Sequence, residues 1–240
     1  MPQVVEEYEK SDTSSTSFKL RLIELVAVAL YQIGAELYKL KLELHQGDIT
    51  SVVSWVDYDP DLLDVPPRPT LINHHAYLYD EVYPDGVADI VGYWSENCIL
   101  GGVVVFDRKE SAEAREANVY FHTAHEKVTY RLYQLRDEQQ EVLLDFLLAD
   151  KASDKECPLP ILGDDENLVR MDAAVAIPYA SIYRDVWERK PYTKEQLRFL
   201  AQRPDSDLNY PEAFQLMVKI NETIANDPEP KGPPSSEGSQ

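Results

Sequence analysis

The fold turns on the stretch VADIVGYWSENCILGGVVVF, residues 87–106. Val, Ile, Tyr and Trp crowd its two ends, and β-branched and aromatic side chains favour strands. Ser95-Glu96-Asn97 interrupts the apolar run in the manner of a hairpin connection. The pattern therefore predicts two strands, 87–94 and 98–106, folded back on each other. Gly101-Gly102 falls inside the second run, where it reads as a bulge or a close backbone approach. Val103-Val104-Val105-Phe106 is apolar at every position, so both its faces should be covered and it should be the central strand.

Working outward, a second hairpin is expected from 119–123 and 127–135, turning at Ala124-His125-Glu126. In its second strand Lys127, Thr129 and Arg131 alternate with Val128, Tyr130 and Leu132, so one face should be wet. The whole of 70–136 thus reads as antiparallel β. On its N-terminal side, Leu22, Val26, Ala29, Ile33, Leu37, Leu40 and Leu44 recur at helical spacing. They predict a helix over 18–44, with Ser17 as N-cap and Gly47 as its stop. On the C-terminal side, Asp137 and Gln140 suggest a capping box for a helix over 137–148, with Val142, Leu143, Phe146 and Leu147 as its buried stripe. Three more helices are expected over 179–189, 194–202 and 211–225.

The expected fold is α+β: an antiparallel sheet of about 4–6 strands packed against an N-terminal helix and a following helix, with C-terminal helices. Residues 1–17 and the Pro/Ser/Gly-rich 227–240 lack the apolar content to pack and are expected to be disordered, leaving 18–226 as a single domain.

Composition removes several functional classes. Forty-three acids face 23 bases in 240 residues, a formal net charge of −20. Phosphate backbones require a basic footprint, so nucleic acid is an unfavourable partner, and so is an anionic membrane surface. The longest apolar run near the N-terminus, 22–33, carries Glu24 and is too short to span a bilayer, which takes roughly 20 residues. No basic segment precedes it, so it does not read as a secretory signal. Two cysteines, Cys98 and Cys157, fit a reducing compartment, which points to the cytoplasm or nucleus.

Candidate chemistry is sparse. Nucleotide-binding glycine motifs, serine-hydrolase elbows and paired-cysteine metal motifs are absent from the sequence. Asp57-x-Asp59-x-Asp61 opens like a calcium loop, but Leu62 and Arg68 stand where that loop needs Gly and Glu. Asp89, inside an apolar run, is a candidate acid with Arg108 or Arg131 as partner, and His122 is a second catalytic candidate. His74, His122 and His125 are the residues that a transition metal would use, set against a reading as strand-edge and hairpin-tip histidines. Cys98 with His74 or His122 would make a thiol–imidazole pair, although buried Cys is usually inert packing. Tyr77, Tyr79, Tyr93 and Trp94 gather beside the same strands and suggest a ligand-binding or interface patch. No cofactor is indicated.

The segments Pro66-Pro67-Arg68-Pro69-Thr70, then 83–94, then 99–108 resemble a large family of uncharacterised proteins of filamentous fungi. The resemblance is dense over about 66–108 and looser from 18 to 148. It implies a fungal intracellular protein and carries no activity, cofactor or catalytic residue with it. From the residues themselves, the expected function is a non-catalytic binding or protein-interaction module, acting through an aromatic-rich sheet face and the loop 57–69. The alternative is a small-molecule enzyme with a pocket near Asp89 and the β-region histidines. The partner is then an unknown protein or a small molecule.

Overall fold

The computed structural model describes residues 2–12, 15–40, 69–108, 118–149, 156–194, 197–198 and 208–226. Its helices are α1 (Pro2–Glu9), α2 (Thr16–Lys39), α3 (Val87–Leu100), α4 (Asp137–Leu147), α5 (Ala173–Ala180) and α6 (Pro211–Asn226). Its strands are β1 (Val103–Asp107), β2 (Val119–His122), β3 (Leu132–Gln134), β4 (Arg170–Met171) and β5 (Ile182–Tyr183). They form one five-stranded sheet in the order β4-β3-β2-β1-β5, and every pairing is antiparallel. The fold is α+β. Among the described residues no helix is long and apolar enough to cross a membrane.

The first strand of the expected hairpin, and the turn after it, belong instead to a helix, α3. The buried residues Asp89, Tyr93, Glu96 and Leu100 recur every three to four positions, which is one helix face. Trp94, Cys98 and Ile99 lie on the outer side. Gly101 is a helix stop and not a bulge. It takes a left-handed φ of 108° as the C-cap and donates its N–H to Asn97 O at 3.0 Å. A Cβ there would also meet the Ile161 carbonyl. Two of the five strands, β4 and β5, come from beyond residue 150: β5 falls inside the expected helix 179–189, and β4 in a stretch with no expected element.

Strand β1 is internal and apolar on both faces, as its sequence requires. Val104 and Phe106 join Ile23 and Ala27 of α2, Phe121, Tyr133, and Leu143 and Leu144 of α4. Val103 and Val105 join Tyr77, Tyr83, Ile90, Tyr93, Ala176 and Ile182 on the other side. The region 127–131, read as half-wet strand, is irregular, and Val128, Thr129 and Arg131 are buried there.

Several boundaries differ from the sequence reading. Ser15, not Ser17, caps α2, accepting from Phe18 N at 3.1 Å. The buried face of α2 runs through Phe18, Ile23, Ala27 and Gly34, whereas Ile33, Leu37 and Leu40 of the expected stripe are exposed. Leu44, Gly47 and the acidic loop 57–68 lie outside the described residues, as does 227–240. In α4 the cap is one residue earlier: Gln139 Oε1 accepts from Arg136 N, and Val142 is exposed. Where the N-terminus was read as disordered, α1 forms, and Tyr8 stacks on Phe18 at 4.9 Å between ring centres.

Helices α2 and α3 approach closely where glycine permits it. A Cβ on Gly92 would sit 2.8 Å from Tyr31 O and 2.7 Å from its ring. Overpacking of this kind typically costs about 1–3 kcal/mol. Gly92→Ala is therefore expected to lower the stability by that amount in urea denaturation. An unchanged midpoint would mean that the two helices do not meet at Gly92.

Candidate functional site

The densest chemistry lies between α3, β1 and residues 182–189. Glu96 is fully buried. One of its carboxylate oxygens accepts the Val104 N–H of β1 at 2.6 Å, and the other accepts from the Arg184 guanidinium at 2.7 Å. The position of Val104 explains the first bond. Its N–H lies on the β5 side of β1, but β5 reaches only Phe106 and Asp107. Glu96 supplies the acceptor that a longer β5 would have offered.

Arg184 is buried against the Tyr31 and Tyr93 rings, 5.2 Å from each centre, and the two ring centres are themselves 4.8 Å apart. Glu188, also buried, folds the following turn by accepting from Arg184 N at 3.0 Å and Asp185 N at 3.2 Å. Its other oxygen meets Arg189 at 3.1 Å, and Tyr83 donates its hydroxyl to Glu188 O at 2.9 Å. Burial pushes Glu96 up to about 7, against the pull of Arg184 and of the Val104 N–H. Arg184 stays charged: burial lowers its pKa, but attraction to Glu96 and Tyr93 outweighs that. Glu96 is therefore the member of the pair that changes protonation near neutrality.

The histidines form an adjoining cluster. His74 and His122 are buried, with ring centres 5.2 Å apart. His74 Nδ1 accepts from Ala76 N at 3.2 Å, so its Nε2–H donates to His122 O at 3.0 Å. His122 Nδ1 takes the Tyr77 hydroxyl at 3.2 Å, and the ring also bonds the Tyr130 backbone. Burial holds both rings well below the ordinary His range, with nearby cationic and imidazole groups adding to it. They are neutral, and their nitrogens are occupied by the protein itself. His125 instead approaches Asn97 O at 3.0 Å, at the end of α3. The three proposed metal ligands thus do not converge, and among the described residues no group of three His, Cys, Asp or Glu could hold a metal ion.

The other candidates separate. Asp89 is not in a strand; it lies in the first turn of α3, where it accepts from Asp85 N at 2.8 Å and from the Tyr31 hydroxyl. Neither expected arginine reaches it: Arg108 pairs with Glu24 at 2.6 Å and Arg131 with Glu212 at 3.0 Å. Cys98 is exposed while His74 and His122 are buried, so the thiol–imidazole pair does not form. Burial also raises the Cys98 pKa, away from a reactive thiolate. Tyr77 and Tyr93 are fully buried and stacked at 4.4 Å, so they build the core and do not face solvent. Tyr79 lies under the Lys190 ammonium at 4.7 Å, and Trp94 is partly exposed on α3.

Sequence reasoning missed Glu96, Arg184, Glu188 and Arg189. The available signal was Asp89 and Glu96, two acids seven residues apart in an apolar segment. That spacing puts them on one face of a helix, and buried acids need partners. No family model, curated protein or solved structure matches the chain.

These groups give stability a pH dependence of known sign. An acid whose folded pKa lies above its unfolded value contributes most below the ordinary Glu range, and that contribution is lost as pH rises towards about 7. His74 and His122 act in the opposite sense. Their depressed values make the unfolded chain bind protons first, so stability falls as pH drops below the ordinary His range. Measured by urea denaturation, wild type is expected to compare more favourably with Glu96→Gln at pH 5 than at pH 8. An equal difference at both would show that ionised Glu96 carries no burial penalty.

Proposed function

We propose that this chain is a non-catalytic binding module that engages a protein partner. The observation that carries this reading is α6. Its N-terminal end is anchored: Arg131 bonds Asn209 O at 2.9 Å and Glu212 at 3.0 Å, and lies 4.4 Å from the Tyr210 ring centre. Beyond that anchor, Leu216 is 58%, Met217 60% and Ile224 67% exposed. Contiguous apolar surface on a folded protein marks an interaction site. The polar core supports the same reading from the other side, because its histidines and glutamates are bonded to arginines, a tyrosine and backbone groups. Of the aromatic residues expected to carry the interaction, Tyr79 and Trp94 keep exposed surface, whereas Tyr77 and Tyr93 are buried.

In this reading the chain works in the cytoplasm or nucleus of a filamentous fungus. Cys98 and Cys157 are both free and exposed, a state that reducing compartments preserve.

A second reading, a small-molecule enzyme, is favoured by one observation. The Tyr93 hydroxyl and Arg189 Nε and Nη1 are buried without a hydrogen-bond partner among the described residues, and a bound polar molecule would satisfy them.

Hydrogen exchange on the isolated chain tests the first reading. Amides 216–224 are expected to exchange far faster than those of β1, since a helix whose apolar side chains are exposed opens locally. Protection in α6 equal to that of β1 would mean that its apolar face is already covered. A small-molecule mass retained in native mass spectrometry would support the second reading instead.

A further inference from the structure

We infer that the apolar stripe of α6 docks a cationic amphipathic helix of a partner protein. The inference rests on the binding-module reading and adds the class of partner. The stripe is built by Ala213, Leu216, Met217, Ile220 and Ile224, at spacings of three, one, three and four, which keep to one helix face. Phe214 and Val218, both exposed, widen it. At 1.5 Å per residue the 16 residues of α6 extend about 24 Å. Two helices pack side by side through interdigitating ridges, and a helix of four to five turns matches this length.

Charge selects among helices. The chain carries a formal −20, and α6 itself holds one Lys, Lys219, against Glu212 and Glu222. A second copy of the chain would bring another −20 against the first, and that repulsion opposes self-pairing. Helices that lie on anionic membranes carry Lys and Arg along their polar face, and α6 has the reverse balance. A partner helix rich in Lys and Arg beside its apolar seam meets an acidic protein with matching field, which speeds encounter and excludes acidic competitors.

The test uses the full-length chain, immobilised, and a displayed library of amphipathic helices. The library has a fixed Leu seam and Lys or Glu varied at the flanking positions. Survivors are expected to carry Lys at most flanking positions. Their binding should weaken at least ~10-fold between 50 mM and 500 mM salt, as screening of a charged contact requires. It should fall at least ~10-fold on the Leu216→Glu/Ile220→Glu double variant. Both substitutions are on exposed positions, and unchanged circular dichroism would confirm that the variant is folded. Equal recovery of Glu-flanked helices, or binding that survives the double variant, would overturn the inference. So would a dimer in light scattering, or binding to phosphatidylglycerol vesicles, that the double variant abolishes, since the occupant would then be a second copy or a membrane. Library binding through the stripe without charge preference would overturn only the cationic partner. An α6 protected in the free chain would remove the binding-module reading with it.

Discussion

One buried carboxylate organises the molecule. Glu96 stands on α3, accepts the backbone N–H of Val104 on β1, and holds Arg184 at the start of the turn after β5. Helix α3, the strand that follows it and the distant segment 182–189 therefore meet at two oxygens. A charge removed from water in this way is tolerated only if its partners are in place. The approach of α3 to the sheet and the closure of 182–189 over the tyrosines are consequently one event, not two. Glu188 repeats the device at smaller scale, tying Arg184 N and Asp185 N within its own turn and Arg189 beyond it.

This constraint separates scaffold from surface. The residues with the most reactive chemistry, His74, His122, Tyr77 and the two Glu–Arg pairs, all lie inside and mostly satisfy one another. Burial depresses the pKa of His74 and His122 and raises that of Tyr77 and Glu96, which is what a structural network produces as readily as an active site does. Recognition is then left to what the scaffold holds outward. The C-terminal helix is anchored by Arg131 near its first turn and carries its apolar residues into solvent.

The sequence made some elements legible and hid others, for physical reasons. Helices over 16–39, 137–147 and 211–226 were visible because their apolar periodicity is regular and their boundaries carry polar residues. Strands 103–107 and 119–122 were visible as short β-branched and aromatic runs. Segment 87–100 misled because Val, Ile, Tyr and Trp share strand propensity, and tertiary packing overrode it: the burial pattern at Asp89, Tyr93, Glu96 and Leu100 follows a helix. In α2 the buried face is rotated from the expected stripe, because the helix meets α3 at Gly34 and Gly92 and joins the core of Val104 and Phe106 through Ile23 and Ala27. Strands β4 and β5 have two residues each, too short for any periodicity to register. His74 and His122 lie side by side while His125 turns to the end of α3; pairing with carbonyls and a tyrosine is a long-range fact that spacing does not carry.

The central claim is that Glu96 and Arg184 act as one structural unit. A double-mutant cycle with Glu96→Gln, Arg184→Met and the pair together, read by urea denaturation at pH 8, tests it most directly. Breaking a buried pair from one side typically costs about 3–5 kcal/mol, whereas removing both partners costs far less than the sum. The account predicts that strong non-additivity. Two single effects that simply add would contradict it, because each residue would then contribute without the other.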